Sequence, residues 1–390
     1  MKTIEQIRQE ANIVPERLRE ARVSRAYTLV ELGKKVGVSA QAISQYEIGT
    51  CKPSPIILNK IALELDFPVS FFQKNYYVSQ NNIAQSAVYF RSYKSATKKT
   101  RESCKVKLKW INEIYMFTQE YIDYPPVALP RINDFLANTE NGIAEEQIED
   151  ISLYVRNEFG LGNSAINNLI EVLQDHGVVI VKFDFETEKV DAFSTWYNGI
   201  PYIVLGSDKK SACRLRFDLA HELGHLLLHN NIENEDLNNK NILDRIEKEA
   251  DYFAGAFLLP QASFSKELYS TSLNQFILLK QKWKVSIAAM IKRTKNLGLI
   301  NSDQESYLFR SLNNKGYRKL EPFDNEIVPE NPYLFKQAIK LLLDNNVLTV
   351  EDIMSRISLK KDEIDSLLML PPDLLMVNKI KSVKPVLKVL

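Results

Sequence analysis

The sequence holds only three cysteines, Cys51, Cys104 and Cys213. They are odd in number, far apart and outside any CxxC pair, so neither a disulfide framework nor a thiolate zinc site is suggested. Long apolar runs are lacking too. No stretch approaches a membrane span, and the opening MKTIEQIRQEANIVPERLRE mixes charges where a secretory leader needs an apolar core. The expectation is a cytoplasmic protein with no membrane association. Charge imbalance is absent overall, 50 Lys and Arg against 49 Asp and Glu, so net charge calls for no polyanionic partner. There is no internal repeat and no low-complexity tract.

What is present is the balance of a globular protein, 45% apolar and 25% charged over 390 residues, a length that predicts two or three domains. Residues 14–72 read as short helices broken by Gly37, Gly49 and Pro53, giving a small all-helical domain placed at 1–75. A basic, helix-prone connector is placed at 76–125. Within it Arg91, Lys94, Lys98, Lys99, Arg101, Lys105, Lys107 and Lys109 face one acid, Glu102; contact with phosphates and a solvated or docking helix face are equally open readings. Pro125, Pro126 and Pro130 punctuate the chain there. Beyond them come helical patterns at 144–159 and 164–175, an apolar strand GVVIVKF at 177–183, and AFSTWYNGIPYIVLG, which reads as two strands around an Asn198-Gly199 turn. Long helices follow at 211–229 and 245–260, the second stopped by Pro260. This α+β region is placed at 126–320. A helical C-terminal region, 321–390, carries one more helical pair around Phe335 to Leu343 and Ser358 to Leu368.

His221-Glu222-Leu223-Gly224-His225 is an HExxH motif in helical context, and a spacing of four puts both imidazoles on one helix face, able to hold one ion. Glu222 stands where a carboxylate takes a proton from an activated water instead of binding metal. A catalytic zinc needs a third protein ligand and an open fourth position. On the next helix Glu247 and Asp251 share a face, so Glu247 suits the metal and Asp251 suits the far nitrogen of a ligating histidine. Glu249 points about half a turn away and reads as a solvated charge. His229, a rival third ligand, lies a turn beyond His225, and three histidines on one straight helix cannot wrap a small ion. The metzincin pattern fails, with Leu228 and Asn231 where it needs glycine and histidine.

HELGHLLLH followed by EKEADYFAGAFLLP resembles the ImmA/IrrE family of metallopeptidases. The resemblance implies a zincin-like fold, zinc held by His221, His225 and Glu247, Glu222 as general base, and a protein substrate such as a transcriptional repressor.

A second motif lies at the N-terminus. Thr28 to Lys35, the turn Gly37-Val38-Ser39 and Ala40 to Gly49 have the pattern of a helix-turn-helix, with Ser39 capping the second helix. Gln41, Ser44 and Gln45 would face the major groove, and Arg17, Arg19, Arg22 and Lys52 the phosphates. The segment GVSAQAISQYEIGTCKPS resembles the Xre and Cro-like repressors, which implies operator DNA as a partner and binding as a homodimer. Leu29 departs from that pattern, standing where the family often has glutamine. A further turn, Lys284-Val285-Ser286, has helix-turn-helix spacing but reads as plain helical packing. Two functions follow: a zinc endopeptidase carried on a DNA-binding domain, or a DNA-binding transcriptional regulator or antitoxin-like protein whose metal site is structural or sensory.

Overall fold

A computed structural model describes residues 13–75, 97–136, 142–185, 191–207, 211–230, 232 and 239–376. In chain order, α1 (Pro15–Ser24), α2 (Leu29–Val36), α3 (Ala40–Glu47), α4 (Pro55–Leu65) and α5 (Val69–Gln73) precede a long α6 (Lys98–Thr118). Then come α7 (Glu145–Glu158), α8 (Leu169–Asp175), β1 (Val179–Phe183), β2 (Ala192–Tyr197), β3 (Ile200–Gly206), α9 (Ala212–Leu228) and α10 (Lys240–Leu258). The described chain finishes with α11 (Gln261–Glu267), α12 (Leu273–Trp283), α13 (Ile287–Asn296), α14 (Ser302–Asn314), α15 (Leu334–Asp344), α16 (Val350–Ile357) and α17 (Lys361–Leu368).

The chain forms two compact units. One gathers the described parts of Met1–Tyr77, Glu102–Ile122 and Phe335–Leu390; the other gathers those of Val78–Arg101 and Asp123–Leu334. Residues 102–122, read from sequence as connector, and the tail from 335 therefore fall in the same unit as the helix-turn-helix. Packing explains this for α6: Trp110, 2% exposed, sits edge-on to Phe67 and Phe71 at 5.6 and 5.5 Å.

Local chemistry fixes the helix-turn-helix. Thr28 and Glu31 form a capping box on α2, the Ser39 hydroxyl accepts the Ala42 N–H on α3, and Gly37 ends α2 at φ 81°. A Cβ on Gly33 would lie 2.7 Å from the Val38 carbonyl oxygen, so the turn folds back onto α2 only because that position has no side chain. Leu32, Val36 and Ile43 close the core beneath.

In the second unit the sheet order is β1-β3-β2, with β1 parallel and β2 antiparallel to β3. Asn198 and Gly199, at φ 52° and 75°, make the two-residue turn that pairs Tyr197 with Ile200. β3 is buried throughout, and α9 packs against β2 and β3 with α10 beside it.

Three sequence expectations shift. α10 begins at Lys240, earlier than 245, because Asn239 caps it. α8 begins only at Leu169, where Asn168 accepts the Glu171 N–H. The tail holds an additional helix, α16, opened by a Thr349–Asp352 capping box and separated from α17 by Ser358 in the left-handed region.

Candidate metal centre and nucleic-acid interface

Gly224 sits between the two motif histidines on α9. A Cβ there would meet Phe253 Cδ1 at 3.1 Å and Ala250 Cα at 3.3 Å, so its absence lets α9 and α10 approach closely. Across that approach Glu247 Oε2 lies 3.4 Å from His221 Nε2, and its Oε1 lies 3.6 Å from His225 Nε2. The two Nε2 atoms are 3.0 Å apart. Candidate ligand atoms of His221, His225 and Glu247 all fall within 4.8 Å of one another.

The electrostatics fit a cation. Glu247 is 2% exposed, yet neither carboxylate oxygen has a hydrogen-bond partner among the described residues, an arrangement that is costly unless a positive charge fills the space. Burial works against a charged His221, but the carboxylates of Asp251 and Glu247 outweigh it and raise its pKa to about 10. His225, buried between two imidazoles, is driven well below the ordinary histidine value. Asp251 Oδ1 lies 2.9 Å from His221 Nδ1.

Glu222 points elsewhere. Its Oε2 accepts a 2.6 Å hydrogen bond from the Ser194 hydroxyl on β2. Burial pushes its carboxyl up to about 8, against the pull of His221 and Ser194. It lines a cleft of about 160 Å³ with His221, Glu247, Asp251, Asp191, Phe217 and Asp218. The last three also line an adjoining cleft of about 780 Å³. Ser194 escaped the sequence reading; its signal is a polar residue in a strand whose first four positions are all buried.

One expectation about a neighbouring residue is corrected, and one rejection stands. Glu249 is not solvated: it is 7% exposed, and its Oε2 lies 2.9 Å from His229 Nε2. His229, set aside as third ligand on sequence grounds, lies outside the His221, His225 and Glu247 cluster, and its Nδ1 faces His225 Nδ1 at 3.0 Å. Burial, and after it the charge of Glu149, raises the phenol pKa of Tyr252.

In the helix-turn-helix, Gln41 is exposed and Ser44 and Gln45 are half-buried on α3, while Arg19 and Lys52 are exposed. Arg17 is a correction. It is 1% exposed, and its guanidinium donates to Glu20 at 3.0 Å and to Glu113 on α6 at 2.6 Å, so it is structural and unavailable to phosphates. Arg22 is likewise held by Glu47. In the basic segment, Arg91 and Lys94 lie outside the described residues; Lys105 pairs with Glu102 and Lys109 with Glu20. At the Lys284 turn, Glu321 accepts the Ile287 and Ala288 N–H groups, which commits the start of α13 to internal packing.

The sequence model of the IrrE N-terminal-like domain family matches residues 173–295, which span the sheet, α9 and α10. A helix-turn-helix model matches residues 18–72. The chain joins an IrrE N-terminal-like domain to a helix-turn-helix domain. The former is metallopeptidase-like, and its matched span contains every candidate metal residue named above. No curated protein matches the chain. A solved structure of Bacillus thuringiensis PlcR in complex with the peptide PapR7 and DNA is 14% identical, covering 80% of this chain and 99% of that one, with a TM-score of 0.16. No described helix is long and apolar enough to cross a membrane.

Proposed function

We propose that the chain is a zinc-dependent endopeptidase that acts in the cytoplasm, with 126–320 as peptidase domain and 1–75 as DNA-binding domain, and that it cuts a regulatory protein such as a transcriptional repressor. The observation that carries this reading is the buried, hydrogen-bond-free Glu247 carboxylate facing both HExxH imidazoles. His221, His225 and Glu247 would hold the ion as its three protein ligands. Zinc bound there supplies Lewis acidity, acidifying water and polarising a peptide carbonyl. Glu222 takes the proton from the attacking water and passes it to the leaving amine. Ser194 holds Glu222 Oε2 in place for both transfers. Asp251 keeps the proton of His221 on Nδ1, so that Nε2 offers its lone pair. The adjoining 780 Å³ cleft has room for several residues of an extended protein substrate.

The DNA-binding domain brings this chemistry to an operator. Gln41, Ser44 and Gln45 read base edges, and Arg19 and Lys52 meet phosphates. Homodimerisation suits α4, which leaves Ile56 and Leu63, seven residues apart, at 71% and 82% exposure.

The test is cleavage of a repressor encoded beside this chain by zinc-loaded protein and by Glu222→Gln. Cleavage lost in Glu222→Gln supports the reading. If wild type cuts nothing, while Glu222→Gln behaves normally in cells and Gln41→Ala with Gln45→Ala does not, the chain is a DNA-binding regulator with a structural or sensory metal site. A buried general-base carboxylate beside the ligands favours the peptidase, because a structural site needs no such group.

A further inference from the structure

His229 ends α9 and has no part in the chemistry above, yet it is 2% exposed and in contact with a candidate ligand. Its two ring nitrogens face different partners: Nδ1 lies 3.0 Å from His225 Nδ1, and Nε2 lies 2.9 Å from Glu249 Oε2 on α10. Glu249 is itself fixed. Its other oxygen accepts the Ile143 N–H at 3.0 Å, from the segment ahead of α7, and Arg245 Nε stands 3.7 Å away.

Proton bookkeeping gives this chain of contacts one direction. An ionised carboxylate only accepts hydrogen bonds, so His229 carries its proton on Nε2. The Nδ1 of a neutral His229 is then an acceptor, and the facing Nδ1 of His225 must be the donor. A neutral His225 with its proton on Nδ1 has its lone pair on Nε2, the atom 3.6 Å from Glu247 and 3.0 Å from His221 Nε2. The opposite tautomer of His225 would set two lone pairs against each other between the rings.

We propose that His229 and Glu249 are positioning residues that fix His225 as its Nδ1–H tautomer and so aim its Nε2 lone pair at the metal. This rests on the metal reading of the site. His221 receives the same service from Asp251 directly; His225, deeper in the unit, receives it through an intervening imidazole.

The experiment measures zinc affinity of the full-length protein by competition with a chelator, without any peptide. His229→Phe keeps the ring volume and removes the acceptor, and is expected to weaken zinc binding roughly 10- to 100-fold. His229→Gln, whose amide oxygen can accept from His225 Nδ1–H, is expected to recover most of that loss, which a purely space-filling role would not predict. Glu249→Gln, nearly isosteric, is expected to weaken binding about tenfold and to shift the His225 Nδ1–H resonance in nitrogen-15 spectra; it carries the test if His229→Phe does not fold. Zinc affinity within twofold of wild type in His229→Phe or Glu249→Gln overturns the inference alone. Wild-type protein that binds no zinc overturns the metal reading and this inference together.

Discussion

Both functional regions are helix pairs brought together at a glycine, and they use the closeness in opposite ways. At Gly33 the tight turn after α2 sets α3 on the surface, with Gln41 exposed to solvent. At Gly224 the contact between α9 and α10 encloses Glu247 and His225 at 2% and 1% exposure. Outward-facing groups are satisfied by water and can be exchanged at small cost. Enclosed ones depend on particular partners, so each has a structural consequence when changed.

Four substitutions sharpen that contrast, from the largest effect down. Glu222→Gln should lower the rate of peptide cleavage by roughly 10²- to 10⁴-fold with zinc content unchanged, read from single-turnover cleavage and elemental analysis. Loss of zinc in this variant would make Glu222 a ligand and undo the assignment. Arg17→Ala should destabilise the helix-turn-helix unit by about 3–5 kcal/mol, because Glu20 and Glu113 lose their buried cation; a denaturant melt reads this, and a stable variant with weaker DNA binding would return Arg17 to the phosphates. Gly224→Val should cost about 1–3 kcal/mol by forcing α10 away from α9, seen as a lower unfolding midpoint for the metal-bearing unit with DNA affinity retained. Arg19→Ala should change stability by no more than about 0.5 kcal/mol and reduce the salt slope of DNA binding by about one. An unchanged slope would remove Arg19 from the interface.

What could be read from sequence was local. The HExxH spacing, the Asn198-Gly199 turn and the Ser39 cap are each defined within a few residues, and the structure has them where they were expected. Glu247 and Asp251 were also within reach, since angle around one helix is a property of that helix. Glu249 was misread by the same device. Its angle is right, but what lies opposite is set by His229 and by Ile143, 106 residues away. Arg17 failed for a like reason, its partner Glu113 being 96 residues distant. The tail helix α16 had a local signal that went unused, Thr349 followed three residues later by Asp352.

The missing side chain at Gly224 also has a bearing on ion choice. The distance between α9 and α10 sets the bite between one carboxylate and two imidazoles, now 3.4 and 3.6 Å across. Nitrogen donors at that span suit a small, borderline-soft dication and leave too few oxygens for calcium. Moving α10 outward would lengthen both gaps at once while changing no donor atom. In the proposed zinc site, ion size would thus be gauged by backbone packing, and a preference for zinc over larger metals would be set partly by a residue outside the ligand set.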